Sequence, residues 1–578
     1  MTLPWREPLG AHPRADGATL FRAWAPRARS LALASGGDEL ELEHAGLGVF
    51  ELVADVGAQA DYEFVLTSAA SGERLVLPDP CSRHQPLGLR GPSRVLDPAG
   101  FEWGDQAFRM PQRSELVLYE LHVGTFTPEG SFAAAAVQLA ALAALGITAV
   151  ELMPVADFPG MRGWGYDGVY LSAAHRCYGG PHALAAFVDA AHRAGVAVVL
   201  DVVYNHVGAS GVAALEAFGP YLTDKYTTFW GKAVNYDDAG CDAVREWVLQ
   251  SAVGWVRDFH IDGLRLDAIH AIYDASPTHI VAEIAERVHA ENPAALVIAE
   301  SGLNDPRVIR PRGQGGWAAD AQWADDFHHA LRALLSGERD GYYADFGTVG
   351  DLAKAFRRPF VYDGRYSSFR QRCFGAPADD RPAEQFVVFD QNHDQVGNRA
   401  LGDRLPRRLQ PLAALCTLLS PFVPLLFMGE EYGEQAPFQF FADHIDADIA
   451  AATREGRRRE FATFASFAEE VPDPQDRATF ERSRLTRSED PSLASLYREL
   501  LRVRRTLSGE AEVSFDEERR WLRVRRSGGE ILCNFSGERL ELPVQEGRRI
   551  LLSTDPENHQ RTDAAAVVLE PCSGALVS

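Results

Sequence analysis

HIDGLRLDAIH, residues 260–270, is the stretch on which the fold assignment depends. Its apolar residues predict a short buried strand that ends at Asp267, with Arg265 two residues earlier. Because side chains alternate faces along a strand, Arg265 and Asp267 should point the same way. A guanidinium keeps a neighbouring carboxylate ionised at neutral pH, which suits a nucleophile. A purely structural ion pair is the alternative explanation.

The same pattern, an apolar run that ends in polar residues, recurs in three other stretches. They are VAVVLDVVYNH (196–206), which ends with Asp201, Asn205 and His206; LVIAE (296–300), which ends with Glu300; and FVVFDQNHD (386–394), which ends with His393 and Asp394. Helical patterns at 183–194 and 282–290 lie between these strands, and this alternation indicates parallel βαβ units. Polar residues at the carboxyl ends of parallel strands are typical of the active site of a TIM-type barrel.

The length of 578 residues predicts more than one hydrophobic core. We expect a multidomain α/β protein with an N-terminal β-sandwich at 1–97, a central (β/α)8 barrel with inserted loops at 98–490, and a linking helix with a small β-sheet domain at 491–578. Sandwich strands are predicted at 19–25, 30–34, 48–53 and 61–66, and terminal strands at 513–515, 521–526, 530–534 and 566–570. Barrel strands are predicted at 116–122, 147–153, 196–202, 263–266, 296–299, 321–323, 386–389 and 425–428.

Charge and composition exclude several classes of partner. A formal net charge of -24 argues against nucleic acid and against an anionic membrane, which both reward basic patches. Seven scattered cysteines without a CxxC pair, and first residues without a basic and then apolar region, favour the cytoplasm. The uncharged stretch 409–429 is long enough to span a bilayer, but Pro421 and Pro424 divide it, so we predict a barrel helix and strand instead.

Three carboxyl groups at the strand ends have the chemistry of glycosidic cleavage. That reaction needs one ionised and one protonated carboxyl, since the transition state is an oxocarbenium ion and the leaving oxygen needs a proton. Asp267 would attack the anomeric carbon, Glu300 would donate and take back the proton, and Asp394 would bind sugar hydroxyls. Retention through a covalent intermediate predicts that the carboxyls of Asp267 and Glu300 lie roughly 5 to 5.5 Å apart.

Aromatic residues that could contact the apolar faces of sugar rings occur in two loops. RGWGYDGVY (162–170) supplies Trp164 and Tyr166, and the glycines around Trp164 predict that it is exposed. DAQWADDFHH (320–329) supplies Trp323, Phe327 and His328. Packing in the core is the alternative for each of them.

The four stretches DVVYNH, GLRLDAIH, IAES and QNHDQ, in this order and spacing, resemble the four signature regions of the α-amylase family of glycoside hydrolases. By this resemblance Asp267 is the nucleophile, Glu300 the acid/base and Asp394 the stabiliser of the transition state. The positions implied to hold the sugar are Tyr166, His206, Arg265 and His393, and those implied to support the site are Asp201 and Asn205.

A closer resemblance covers most of the chain. PDPCSRHQPLGLRGPSRV (78–95), WGYDGVYLSAAHRCYGGP (164–181), ESGLNDPRVI (300–309), 320–343 and FMGEEYGEQAPFQFF (427–441) are similar to maltooligosyltrehalose trehalohydrolases. These enzymes cut the α-1,4 bond next to the terminal trehalose unit of maltooligosyltrehalose and release trehalose. The resemblance implies no cofactor and no calcium ion, and the sequence has no dense run of Asp and Asn of the kind found in calcium loops.

Release of trehalose requires a closed pocket that accepts a compact disaccharide and excludes a continuing chain. We expect its wall in the loop after Glu300, which includes Asp305, in residues 326–329, and at Glu430 and Glu431 near the last strand. On this hypothesis, replacing Trp323 or Asp326 by Ala lowers activity on maltooligosyltrehalose more than on plain maltooligosaccharide. Further candidates for substrate contact, from the signature stretches, are His270 and Gln395.

Two other functions stay open on the sequence. A glycogen branching or debranching enzyme has the same three carboxyl groups and the same order of domains. A relative that only binds glucan would be expected to lack at least one of the carboxyl groups, yet Asp267, Glu300 and Asp394 are all present.

Overall fold

The computed structural model of the protein describes residues 3–461, 471–555 and 566–578. The strands of its N-terminal part are β1 Gly10–Pro13, β2 Thr19–Trp24, β3 Ala28–Ser35, β4 Asp38–Glu41, β5 Glu43–Gly46, β6 Val49–Ala54, β7 Asp61–Ser68, β8 Arg74–Leu77 and β9 Ser93–Arg94. They form two antiparallel sheets with the orders β1-β2-β6-β5 and β4-β3-β7-β8, and β9 pairs with β7. The facing sheets are joined by contacts such as Phe21 with Tyr62, whose ring centroids are 5.0 Å apart. The predicted sandwich is confirmed.

The central part contains a parallel barrel and three short hairpins. Its strands are β10 Leu118–Leu121, β11 Ala149–Leu152, β12 Ala156–Asp157, β13 Tyr170–Ala174, β14 Ala197–Val202, β15 Leu222–Thr228, β16 Gly231–Val234, β17 Gly263–Leu266, β18 Leu296–Ala299, β19 Ala321–Trp323, β20 Tyr366–Ser367, β21 Arg372–Cys373, β22 Phe386–Val388 and β23 Val423–Phe427. The strands β10, β11, β14, β17, β18, β19, β22 and β23 close into a barrel in that order. Each overlaps one of the predicted barrel strands, so the predicted barrel is confirmed.

Helices of the described chain occupy most of the connections between barrel strands. They are α1 Val123–Phe126, α2 Phe132–Ala136, α3 Leu139–Leu145, α4 Gly180–Arg193, α5 Val212–Phe218, α6 Cys241–Phe259, α7 Ile280–Glu291, α8 Asp325–Ser336, α9 Val349–Arg357, α10 His393–Gly397, α11 Gln410–Leu418, α12 Ala447–Phe461, α13 Arg477–Arg482 and α14 Pro491–Arg504. The apolar stretch 409–429 forms α11 and β23, as its two prolines predict. Within the described residues, no helix has the length and apolar character needed to cross a membrane.

The C-terminal part is a small β domain that follows α14. Its described strands are β24 Ser508–Asp516, β25 Trp521–Ser527, β26 Gly529–Asn534, β27 Leu540–Pro543, β28 Ile550–Ser553, β29 Ala566–Leu569 and β30 Ser573–Val577. One sheet has the order β24-β25-β26-β30-β28, and β27 pairs with β29. The sequence predicted β24, β25, β26 and β29 but not the other three. The domain limits at 97/98 and 490/491 stay predictions.

The inside of the barrel changes from apolar to polar along the strands. Leu118, Ala149, Val199, Ile298 and other apolar side chains fill one buried cluster between the strands. Two residues further along their strands, on the same face, the chain has Glu120, Glu151, Asp201 and Glu300 in place of these apolar residues. The carboxyl end of the barrel is therefore lined by ionisable groups that rest on a packed apolar layer.

Candidate active site

The four stretches singled out by the sequence meet at the carboxyl end of the barrel. Asp267 directly follows β17 and Glu300 directly follows β18. The backbone N–H of Asp267 donates to Val202 O at 3.1 Å, and that of Glu300 donates to Leu266 O at 2.9 Å. These bonds extend the barrel ladder by one residue at each strand end. The backbone of both carboxylic residues is thus held by the rigid part of the fold.

Arg265 lies at the centre of the site and is fully buried. Its Nη1 donates to Asp201 Oδ2 at 2.9 Å and to Asp267 Oδ1 at 2.7 Å. Its Nη2 is 3.9 Å from Glu300 Oε2. The guanidinium lies 4.3 Å from the ring centroid of Trp323, a cation–π contact. Trp323 is 1% exposed and packs beneath Arg265, so its assignment to substrate contact is corrected. One cation therefore contacts three carboxyl groups.

The two central carboxyl groups have opposite protonation preferences. Burial would raise the pKa of Asp267, but the charge of Arg265 and a 2.7 Å bond from Asn205 Nδ2 outweigh it and lower that pKa. Burial raises the pKa of Glu300 to about 8, and the negative charge of Asp267 adds to this. At neutral pH Asp267 is ionised while Glu300 holds a proton. This is the division that acid-assisted nucleophilic substitution requires.

Tyr166 and His393 form a hydrogen-bonded chain with Asp201. The Tyr166 hydroxyl donates to Asp201 Oδ2 at 2.7 Å and lies 2.7 Å from His393 Nε2. His393 Nδ1 is 2.5 Å from Glu120 Oε1, and its backbone N–H donates to Glu120 Oε2. Burial opposes the charge of His393, but Asp394 and Glu120 raise its pKa to about 9. His393 is therefore a cation at neutral pH, with Asp394 Oδ1 3.4 Å from its Nε2.

Backbone strain occurs directly after the nucleophile candidate. Ala268 has φ +38°, a left-handed conformation that is sparsely populated for a residue with a Cβ. In this conformation its N–H donates to Glu300 Oε2 at 2.5 Å. The strained residue thus fixes the carboxyl of Glu300 relative to Asp267.

His206 and Trp230 form the wall next to Asn205. The His206 ring stacks on Trp230 with centroids 4.3 Å apart and planes 4° apart, and His206 Nε2 lies 2.8 Å from Tyr166 O. Burial lowers the pKa of His206. Trp230 keeps 45% of its surface exposed at the tip of the β15–β16 hairpin. Trp230 thus presents an exposed aromatic ring of the kind that was expected at Trp164.

The expectation of an exposed Trp164 is wrong. Its exposure is 4%, its ring stacks on Phe438 at 5.1 Å, and its Nε1 donates to Gln439 O at 3.0 Å. The neighbouring glycines allow close packing instead of exposure: a Cβ on Gly165 would lie 2.1 Å from Pro154 O. Trp164 supports Tyr166 from behind.

Three of the candidates, all on α8, are buried and do not line the site. Asp326 Oδ2 accepts from Asn304 Nδ2 at 2.8 Å and from the Tyr362 backbone at 2.7 Å. Phe327 is fully buried against Phe356. The third, His328, is buried between Asp390 O and the Tyr343 hydroxyl. These residues hold the surrounding loops in place, and so their assignment to the wall is corrected.

Glu430 is a further correction. It is 2% exposed, accepts from Tyr497 at 2.8 Å and from the Phe427 backbone at 3.1 Å, and so belongs to the packing between β23 and α14. Asp305 accepts from Arg307 in its own loop. His270 is exposed and accepts from the Gly302 backbone at 3.3 Å. The remaining candidate, Gln395, lies 3.5 Å from Asp325 Oδ1 at the site.

Asp325 is a site residue that the sequence analysis missed. It is the first residue of α8 and, unlike Asp326, it is partly exposed. Burial and the charge of Asp394 raise its pKa, and its own charge contributes to the raised pKa of Glu300. The two neighbouring aspartates could be distinguished only by knowing where α8 begins. Trp230 had a visible signal, an aromatic pair before a glycine in a threonine-rich hairpin.

The described residues contain no group of three or more His, Cys, Asp or Glu side chains placed to hold a metal ion.

Comparisons with known proteins match this geometry. The family model described as "Alpha amylase, catalytic domain" matches residues 105–220, and a domain of unknown function, DUF3459, matches 506–576. The malto-oligosyltrehalose trehalohydrolase of Saccharolobus solfataricus is 43% identical over 95% of this chain and 96% of its own. That of Rhizobium sp. (strain M-11) is 44% identical over 99% of each chain.

The chain belongs to the malto-oligosyltrehalose trehalohydrolase family. A crystal structure from Salmonella typhimurium, named as that of an alpha amylase, agrees with this fold: its TM-score is 0.89 at 37% identity, over 99% of both chains. The protein is a glycoside hydrolase of the α-amylase type.

We expect the Tyr166 hydroxyl to contribute to the activity of the enzyme. Tyr166→Phe removes the bond to Asp201 and the contact with the cation of His393, and should lower kcat/KM roughly tenfold to a hundredfold. The control is Tyr170→Phe, since the buried Tyr170 hydroxyl donates to Leu89 O at 2.9 Å and touches no carboxyl of the site. Steady-state kinetics of both variants, with melting temperatures, test this. Equal losses in the two variants would contradict a specific role of Tyr166.

Proposed function

We propose that the protein is a retaining hydrolase that cuts the α-1,4-glucosidic bond next to the terminal trehalose of maltooligosyltrehalose. It would release free trehalose and so serve trehalose formation from glucan. Two observations support the proposal: the names of the nearly full-length relatives and the protonation states at the carboxyl end of the barrel. The second one carries the mechanism.

The reaction proceeds in two displacements. Asp267 attacks the anomeric carbon while Glu300 gives its proton to the leaving oxygen, so that trehalose departs and a glycosyl ester forms on Asp267. Water then attacks the same carbon, Glu300 takes a proton from it, and the ester bond to Asp267 breaks. Both enzyme groups return to their starting states. The configuration at the anomeric carbon is retained because it is inverted twice.

The single observation behind these roles is the position of Arg265. Its Nη1 bonds Asp267 directly, whereas its nearest approach to Glu300 is 3.9 Å. The same cation therefore stabilises one carboxylate strongly and leaves the buried neighbour protonated. Asp394 and the cation of His393 lie beside this pair, and they would bind the hydroxyls of the sugar that reacts.

The leaving trehalose has to lie on the side of Glu300, because the acid must reach the leaving oxygen. The loop after β18 and the start of α8 border that side, with Leu303 37% exposed and Asp325 partly exposed. We assign the trehalose pocket to these two segments. Asp326 acts indirectly, since it holds Asn304 of the loop after β18.

Free thiols support a reducing compartment, which we propose to be the cytoplasm. All seven cysteines lie in the described ranges and all are free. Cys416 Sγ and Cys533 Sγ are 3.9 Å apart without a bond. Structural disulfides are rare in the cytoplasm and common outside it.

The pH dependence follows from the two pKa shifts. Glu300 must be protonated to act, so kcat/KM should fall as the pH rises through about 8. Asp267 must be ionised, and its lowered pKa places the acidic limb below the usual range for aspartate. A substrate with an activated leaving group needs no proton from Glu300. The rate of bond cleavage for such a substrate should therefore not fall as the pH rises through about 8. A profile with the same alkaline limb for both substrates would contradict the acid role of Glu300.

The cleaved bond is tested by products. Incubation of the purified protein with maltotriosyltrehalose should give trehalose and maltotriose, with little change in amylopectin. Asp267→Asn, which keeps the shape of the side chain but removes the nucleophile, is the inactive control. Altered branching of amylopectin without release of trehalose would instead indicate a branching or debranching enzyme.

A further inference from the structure

Glu151 is a buried carboxyl group at the bottom of the site that the mechanism above does not use. It lies on β11, where the preceding inward residue, Ala149, belongs to the apolar cluster inside the barrel. It is 1% exposed and is paired in the parallel ladder with Glu120. Glu120 is the partner of His393. Glu151 therefore lies between the apolar cluster inside the barrel and the ionisable groups at its carboxyl end.

Five polar atoms in this layer have no hydrogen-bond partner within the described part of the chain. They are Glu151 Oε1 and Oε2, Asp201 Oδ1, and Arg265 Nε and Nη2. All three residues are almost completely buried. Asp201 and Arg265 are paired in the ladder between β14 and β17, so the atoms belong to neighbouring inward positions. Buried polar atoms of this kind are normally bridged by ordered water with two to four partners.

Both cations near Glu151 are already paired with other carboxyl groups. The groups that face it are Glu120 from β10, Asp201 from β14, Arg265 from β17 and His393 from the segment after β22. Arg265 already contacts Asp201 and Asp267, and His393 contacts Glu120. Burial raises the pKa of Glu151, and the charge of Glu120 raises it further. An additional anion in this closed layer would be unpaired, which is costly.

We propose that Glu151 is a positioning residue: as a neutral carboxylic acid it shares ordered water with Arg265 and Asp201, and so holds the guanidinium against Asp267. This inference rests on the proposed function of the same site and adds a residue to it.

A neutral acid is suited to this place because it has both a donor and an acceptor. Its O–H can donate through water toward Asp201 Oδ1, and its carbonyl oxygen can accept through water from Arg265 Nε or Nη2. An ionised Glu151 could only accept, and it would compete with Asp267 for the charge of Arg265. The structure thus gives Glu151 an effect on the ionisation of Asp267, although it does not touch the substrate.

Two substitutions of Glu151 separate hydrogen bonding from charge. Glu151→Gln keeps a donor and an acceptor without a charge, and should show the kcat and pH profile of the unaltered protein within about twofold. Glu151→Leu fills the space but cannot bond water. It should lower kcat about tenfold with KM nearly unchanged, and should move the acidic limb up by about one pH unit, a tenfold change in the ionisation of Asp267.

Gln322→Leu is the matched control. Gln322 is fully buried on barrel strand β19, and both of its amide atoms lack a partner in the described chain, as in Glu151. It alternates with Ala321 and Trp323 of the interior cluster and so faces the outside of the barrel. Its replacement should leave the pH profile unchanged. A shift equal to that of Glu151→Leu would mean that loss of any buried polar group perturbs the barrel, and would overturn the proposal.

Infrared difference spectroscopy tests the proposal without activity. The spectrum of the unaltered protein minus that of Glu151→Gln should contain the carbonyl band of a protonated carboxylic acid at neutral pH. A carboxylate band instead, or a Gln variant as impaired as the Leu variant, would show that a charge is required and would overturn the proposal. Failure of the proposed function can be told apart from failure of the Glu151 proposal. In the first case the unaltered protein would release no trehalose, but the infrared spectrum would still show a protonated Glu151.

Discussion

Arg265 is held between Asp201 and Asp267 by bonds of 2.9 and 2.7 Å, with Trp323 beneath it and no exposed surface. A buried cation is stable only when its partners are in place, and removal of one partner of such a pair typically costs about 3 to 5 kcal/mol. The barrel provides these partners on adjacent strands at fixed ladder positions. The position of Asp267, the nucleophile candidate, is therefore a consequence of strand register.

The same charge explains why two carboxyl groups at neighbouring strand ends behave differently. The side chains of Asp267 and Glu300 keep only 11% and 13% of their surface exposed, and this removal from water alone would favour the protonated form of both. Asp267 is the one that bonds Arg265 directly and also receives Asn205. Glu300 bonds the backbone of strained Ala268 instead. Position relative to one guanidinium thus separates the nucleophile candidate from the acid candidate.

The barrel and the centre of the site could be predicted from sequence because four of the eight barrel strands lead into polar residues at defined positions. Alternation along β17 placed Arg265 beside Asp267, and the structure has that contact. The carboxyls of Asp267 and Glu300 also lie at the same face, although their separation stays a prediction.

The sequence predicted His206 at the site but did not place the other residues around it, although the aromatic pair at 229–230 was a visible signal. Asp325 and Asp326 are about 100° apart around a helix, so a shift of one residue in the helix start exchanges the exposed one for the buried one. Trp164 is buried because its glycines permit close packing, and Trp230 reaches the site on an inserted hairpin. Such placements depend on tertiary packing, and local patterns do not encode it.

Trapping the covalent intermediate tests the central claim most directly, namely that Arg265 makes Asp267 the nucleophile and leaves Glu300 as the acid/base. In Glu300→Gln, a glycosyl fluoride such as α-maltotriosyl fluoride needs no acid to react, and the resulting ester cannot be hydrolysed quickly without the base. Peptide mass spectrometry should then find the glycosyl group on Asp267. A glycosyl group on another carboxylate, or rapid turnover with no adduct, would contradict the account.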